Sequence, residues 1–338
     1  MPIGLGIGMS HSPAMYTPRD KVRAGADRVI GNALERGNLI PTAFSKMTKE
    51  DLEANWDRFR KDHAAVKAQI EAYHPDVLIM LGGDHGRDFG LYGHSNKINM
   101  LIFTGSEASA QMPSPNGGMG GMMGDGAKVR YKCDPDTAKF LADELISKVG
   151  FDLAVSDEMR IIDTRPGTPA EPEGSVLTTS FMNIHESMPT SYELPIVMIY
   201  LNTFDRPTMV SAKRCYDLGV ALAKLLEHDK RKIAILGSGG LSHDPFGPRN
   251  IWNDTPLDQW MIEQFTSGNG KALQDLYYFD SMTVRGGTGE TRCWITVAGA
   301  MEYMGAKAKL IDYHYAPETQ TGNAFAYWLA DAGKAAKV

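Results

Sequence analysis

Short apolar runs alternate with longer amphipathic stretches along almost the whole chain, and this alternation most restricts the fold. Six runs predict strands, at residues 3–9, 76–81, 98–104, 196–201, 232–237 and 308–313. Several, such as Val77-Leu78-Ile79-Met80-Leu81, are continuously apolar instead of alternating with polar residues. A strand of that kind has both faces buried, as when helices cover a sheet on two sides. Helical spacing predicts helices over residues 20–35, 48–73, 136–148, 209–227, 257–265, 291–304 and 322–329. In residues 48–73, Leu52, Trp56, Phe59, His63, Val66, Ile70 and Tyr73 recur at steps of three and four and draw one apolar stripe. His63 lies on that stripe and reads as a core histidine with one hydrogen-bond partner. The expected class is α/β, a mostly parallel central sheet sandwiched by helices. No internal repeat or linker interrupts the pattern, so residues 1–338 read as one large domain.

The rest of the chain is ordinary, and that excludes several classes. With 35 Lys+Arg against 41 Asp+Glu, the net charge is −6. A hydrophobic content of 43 % with so small a charge does not describe a disordered chain. Nor does an acidic balance point to nucleic acid. No apolar run approaches the roughly 20 residues of a membrane helix, and the N-terminus lacks a signal peptide's basic start. Cys133, Cys215 and Cys293 are too scattered for a disulfide framework or a zinc ribbon, which suggests a reducing, cytoplasmic location.

Two long segments resist assignment. Residues 105–126 hold a Met/Gly-rich stretch, Gly117-Gly118-Met119-Gly120-Gly121-Met122-Met123-Gly124, and residues 164–192 are rich in Pro, Thr, Ser and Glu. Loops of such length are usually functional covers or insertions. Residues 105–126 read either as an active-site lid or as a plain surface excursion.

Three of the nine histidines share one setting: each follows an apolar strand in a Gly/Ser-rich turn. His11 stands in Ser10-His11-Ser12-Pro13, His85 in Gly82-Gly83-Asp84-His85-Gly86, and His243 in Gly237-Ser238-Gly239-Gly240-Leu241-Ser242-His243. The carboxyl ends of strands line the ligand crevice of an open α/β sheet, so these three should converge. Neutral imidazole is both a common metal ligand and a base suited to neutral pH. Two histidines and one carboxylate on one face suit a non-haem iron(II). Glu290, in Gly289-Glu290-Thr291-Arg292-Cys293-Trp294, is a candidate third ligand; it equally suits the start of a helix. The Gly237–Ser242 turn begins like a dinucleotide fingerprint, but Ser242 stands where the third glycine belongs. A nucleotide-dependent oxidoreductase is therefore the weaker alternative.

These motifs recur, in this order, in one family. With Gly247-Pro248-Arg249 and the Glu290-x-x-x-Trp294 spacing, the chain resembles the class III extradiol ring-cleaving dioxygenases, the superfamily of the protocatechuate 4,5-dioxygenase β-subunit. The resemblance implies that His11, His85 and Glu290 hold Fe(II) and that His243 is the acid/base facing the substrate. It implies cleavage of a substituted catechol beside its diol with insertion of both atoms of O₂, the substrate being an aromatic acid or lignin-derived catechol. Arg249, Thr319, Thr321 and His185 are candidate substrate contacts. The threonines equally suit a helix N-cap, and Arg249 a loop tie. Assembly of identical subunits is expected, and some relatives add a small helical partner subunit. In one respect the chain departs from the pattern. Where many relatives carry a further active-site histidine, it reads Lys132-Cys133-Asp134-Pro135-Asp136, which keeps open a metal-free binding member of the same superfamily.

Overall fold

A computed structural model describes residues 3–12, 16–83, 98–112, 126–158, 177–204, 208–244, 247–278 and 281–331. In chain order the elements are β1 (Ile3–Met9), α1 (Val22–Glu35), α2 (Thr42–Ser45), α3 (Lys49–Tyr73), β2 (Val77–Gly83), β3 (Met100–Phe103), β4 (Glu107–Gln111) and β5 (Lys128–Lys132). They continue with α4 (Pro135–Glu144), β6 (Ala154–Ser156), α5 (Thr179–Met182), β7 (Ile196–Leu201), α6 (Ala212–Leu225) and β8 (Ile233–Ser238). The chain closes with α7 (Thr255–Ser267), α8 (Thr291–Tyr303), β9 (Ala308–Ala316) and β10 (Thr321–Leu329).

Eight strands form one sheet in the order β6-β3-β7-β2-β8-β1-β10-β9, and β4 and β5 form a separate hairpin. The centre, β7-β2-β8-β1, is parallel throughout, and β3–β6 is parallel at one margin. Antiparallel β10 and β9 extend the sheet beyond β1. The continuously apolar runs are buried on both faces, as expected. Val77, Ile79 and Leu81 of β2 face the layer built by α4, α6, α7 and α8, whereas Leu78 and Met80 face the layer of α3, α5 and the hairpin. α3 begins with a capping box: Thr48 accepts from the Asp51 N–H, and the Asp51 carboxylate accepts from the Thr48 N–H. His63 of α3 is buried with Nδ1 2.8 Å from Ser187 Oγ, and burial pushes its pKa down to about 3. It is the neutral core histidine that its place on the stripe predicts.

One expected helix is overturned. Residues 322–329 lie in β10, hydrogen-bonded to β1 on one side and β9 on the other. The alanine and aromatic content of Asn323-Ala324-Phe325-Ala326-Tyr327-Trp328 permits a helix locally, but the open antiparallel side of β1 takes the segment as an inner strand. Within the candidate lid, residues 107–111 are β4, paired with β5, while 113–125 lie outside the described residues. Of residues 164–192, 164–176 lie outside the described residues, and the stretch that follows enters the core through Leu177, Phe181, Met182 and Ile184, all buried, before Thr190 and Ser191 return to the surface. At the altered family motif, Asp134 accepts from the Thr137 N–H as the N-cap of α4, and Pro135 takes its first position. Among the described residues no helix is long and apolar enough to cross a membrane. The three cysteines are free and buried, and burial pushes the Cys133 and Cys215 thiols up to about 12.

Candidate active site

The parallel strands β1, β8 and β2 are neighbours, and the turns bearing His11 and His243 leave the carboxyl ends of β1 and β8. His85 itself lies outside the described residues. His11 and His243 meet at Glu290, which closes the short turn before α8. His11 Nε2 is 3.7 Å and His243 Nε2 3.5 Å from Glu290 Oε2. All three residues are buried. The Gly240 N–H donates to Glu290 Oε2 at 3.1 Å, so the glycine turn after β8 positions the carboxylate. One turn into α8, Trp294 Nε1 donates to the Gly239 carbonyl at 2.7 Å and ties the helix to the same turn.

The hydrogen-bond partners decide which nitrogen of each ring carries the proton. Ser238 Oγ donates to the Ser180 carbonyl at 2.6 Å, so it can only accept from His11 Nδ1, 3.0 Å away. The proton of neutral His11 is then on Nδ1, and the Nε2 lone pair faces Glu290. A ligating histidine is commonly fixed through its other nitrogen in this way. His243 Nδ1 lies 2.9 Å from the Leu241 carbonyl, an acceptor only, so it too carries the proton and leaves Nε2 as a base. Gly287 allows this approach: a Cβ there would lie 2.0 Å from His243 Nε2. Two imidazole lone pairs and a carboxylate thus converge in a buried space. Such a donor set attracts a cation, and the 3.7 Å spacing of His11 and Glu290 permits bonds of about 2.0–2.2 Å to one ion.

The other candidates surround this centre at different removes. Asn183 Nδ2 donates to the His11 carbonyl at 3.0 Å, and the Tyr16 hydroxyl donates to the Asn183 carbonyl. His185 stacks on Tyr16 with ring centroids 5.4 Å apart, and its Nδ1 is 3.0 Å from the Met182 carbonyl. It also lines a cavity of about 630 Å³ with Tyr131, Met188 and Tyr192. Arg249 is half-buried in the loop after His243, where its N–H donates to Asp244 Oδ2 at 3.4 Å. Thr319 and Thr321 are buried in the turn from β9 into β10, so neither caps a helix. The Thr319 hydroxyl donates to the Ala316 carbonyl, the Thr321 hydroxyl to the Thr319 carbonyl, and Ser12 Oγ to that same carbonyl at 2.9 Å.

Two supporting residues escape the sequence reading. Ser238, which orients His11, stands at the start of a glycine-rich turn and belongs to no motif of its own. Asp258 of α7 is fully buried and accepts from Ser242 N, Ser242 Oγ and the Tyr313 hydroxyl at 2.8, 2.9 and 2.8 Å. It thereby anchors the residue before His243, and no local motif announces it.

Comparison with known proteins gives the family. Residues 5–326 match the family described as the catalytic LigB subunit of aromatic ring-opening dioxygenase. Among curated relatives, a 2,3-dihydroxyphenylpropionate/2,3-dihydroxicinnamic acid 1,2-dioxygenase of Comamonas testosteroni is 28 % identical over 184 residues, covering 54 % of this chain and 47 % of that protein. A protein of the same name from Paraburkholderia xenovorans (strain LB400) is 27 % identical over 183 residues, covering 54 % and 48 %. The chain therefore spans about half the length of the curated relatives it matches. Among solved structures, the uncharacterized protein JW3007 from Escherichia coli K12 aligns over 96 % of this chain and 99 % of that one, with 11 % identity and a TM-score of 0.49. The match across residues 5–326, with the motifs in family order, places the chain in the LigB family of aromatic ring-opening dioxygenase catalytic subunits.

Proposed function

We propose that the protein is an Fe(II)-dependent extradiol dioxygenase that opens a substituted catechol beside its diol, both atoms of O₂ entering the product. The observation that carries this reading is the hydrogen-bond chain from Ser180 through Ser238 to His11, which turns the Nε2 lone pair toward Glu290. His11 and Glu290 would hold the metal, with His85 as the third ligand on the strength of the family motif. When bound, Fe(II) would supply the Lewis-acid and redox chemistry that ring opening with O₂ needs.

The remaining chemistry falls to side chains. A catechol must lose protons to bind as an anion, and His243 Nε2 is the base that faces the centre. The Leu241 carbonyl fixes the His243 ring, so Nε2 keeps its direction toward the centre as it takes up the proton. The same group returns its proton as the ring opens. Burial of His11, Glu290 and His243 excludes bulk water from the reacting centre. Relatives named for phenylpropionate and cinnamic acid diols support a catechol bearing a carboxylate side chain, for which Arg249 is the candidate partner. Three reduced, buried cysteines support a cytoplasmic location.

The test is anaerobic loading with Fe(II), then O₂ uptake against a panel of carboxylated catechols, read with the absorbance of ring-opened product. Stoichiometric uptake with at least one catechol is expected; none across the panel refutes the reading. His11→Ala and Glu290→Ala should each abolish iron retention. His243→Ala should keep its iron and lose roughly 10²–10⁴-fold in kcat; full activity in that variant removes His243 from the mechanism.

A further inference from the structure

Away from the His11–Glu290 centre, a second set of ligand-type side chains converges where α3 covers β9. Asp312 and His314 are two residues apart on β9 and share a face. Asp62 reaches them from α3. Among the described residues these three bring one ligand atom each within 4.8 Å of one another. His314 Nδ1 lies 3.7 Å from Asp62 Oδ2 and 3.8 Å from Asp312 Oδ2. Both separations are too long for hydrogen bonds. They are close to the roughly 3.4 Å between neighbouring ligand atoms around one tetrahedral ion with bonds of about 2.0–2.2 Å.

The second observation is that three buried donor atoms of this group lack partners. Asp62 and His314 are only 3 % and 4 % exposed. Asp62 Oδ2 and both ring nitrogens of His314 have no hydrogen-bond partner. Buried polar atoms are seldom left so, and each needs an explanation. Arg58 forks onto Asp312 at 2.5 and 2.6 Å, its Nε on the same Oδ2 that lies 3.8 Å from His314 Nδ1, and compensates this outer carboxylate, whereas Oδ2 of the inner Asp62 has no such partner. Phe59 packs edge-on against the His314 ring at 4.8 Å and closes the apolar side. Asp312, 23 % exposed in its side chain, marks the route from solvent.

We propose that Asp62, Asp312 and His314 form a second divalent-cation site of zinc type, separate from the catalytic centre, that pins the edge strand β9 to α3. Two carboxylates and one imidazole suit zinc better than a soft thiolate metal. The ion would supply the missing partners of Asp62 and His314 and hold an otherwise one-sided edge in place. Nothing in this proposal depends on the ring-opening reaction.

The test uses the full chain stripped with chelator, in a His11→Ala/Glu290→Ala background that removes the first site. Zinc is added, the protein is gel-filtered, and retained metal and the thermal midpoint are measured. About one equivalent retained, with a raised midpoint, is expected. Asp62→Asn and His314→Gln should each remove both effects. Should His314→Gln not fold, Asp62→Asn carries the test. In the wild-type background that substitution should lower retained zinc by about one equivalent. If the double-variant background retains no zinc, Asp62 and Asp312 share a proton in place of an ion and the proposal fails. It fails equally if Asp62→Asn keeps its full equivalent.

Discussion

Asp258 never touches the reacting centre, yet it fixes the backbone from which His243 projects. Its carboxyl gathers the Ser242 amide, the Ser242 hydroxyl and the Tyr313 hydroxyl, three donors on one buried group. Burial pushes its pKa up to about 7, from an ordinary 3.8. Between those values the folded protein holds a proton that the unfolded chain has released. The resulting stabilisation is complete below 3.8 and is lost as pH rises through about 7, at no more than about 1.4 kcal/mol per pH unit. Asp258→Asn should therefore flatten the fall in the urea midpoint between pH 5 and pH 7 relative to the unsubstituted protein; identical slopes would refute the assignment. The same variant should retain iron, because His11 and Glu290 keep their own anchors, and lose roughly tenfold or more in kcat as His243 loses its support. Unchanged kcat would make Asp258 a structural residue only.

At the scale of elements, β1 and α8 explain how the site is held and how much of it was legible. Leu5, Ile7 and Met9 of β1 face the α3 layer, and Gly8 meets α8 on the other face, where a Cβ would lie 2.4 Å from the Trp294 ring. Trp294 cannot slide away, because its Nε1 is held by the Gly239 carbonyl. Gly8→Ala should then cost about 1–3 kcal/mol by overpacking and lower the thermal midpoint by several degrees; a midpoint equal to the wild type's would refute this packing account. Strands of continuous apolar residues and the stripe of α3 were readable because burial on two faces, or on one stripe, leaves a pattern in the chain itself. So was the meeting of His11 and His243, since parallel neighbours place their exits on one edge; the third histidine of that set, His85, lies outside the described residues. β10 was not readable: alanines and aromatics fit either period, and its strand character comes from β1 and β9 on either side. The hairpin did leave a signal, the alternation of Val129 and Tyr131 inward with Lys128, Arg130 and Lys132 outward, but a glycine-rich neighbour masked it. Asp258 and the Asp62–His314 group left none, because each takes its meaning from partners far away in sequence.

For the molecule as a whole, strand order binds the two ends of the chain together. A chain of 338 residues exceeds the size at which single cores usually give way to separate domains. Here, however, β1 pairs only with β8 and β10, and β2 pairs with β7 and β8, so the first strand has no neighbour until the last third of the chain is made. The proposed metal centre repeats this logic, since His11 comes from the first strand's exit and Glu290 from the start of α8. A fragment of residues 1–230 should therefore not fold, showing no near-ultraviolet dichroism and no cooperative transition. The full chain should lose helix content, tertiary dichroism and bound iron in one transition. Because the ligands come from both ends, Fe(II) at about a hundredfold over its dissociation constant should add ~2.7 kcal/mol to that single transition. It should add nothing to Glu290→Ala. Two separated transitions, or a folded 1–230 fragment, would mean that the halves are independent and that the central sheet does not act as one unit.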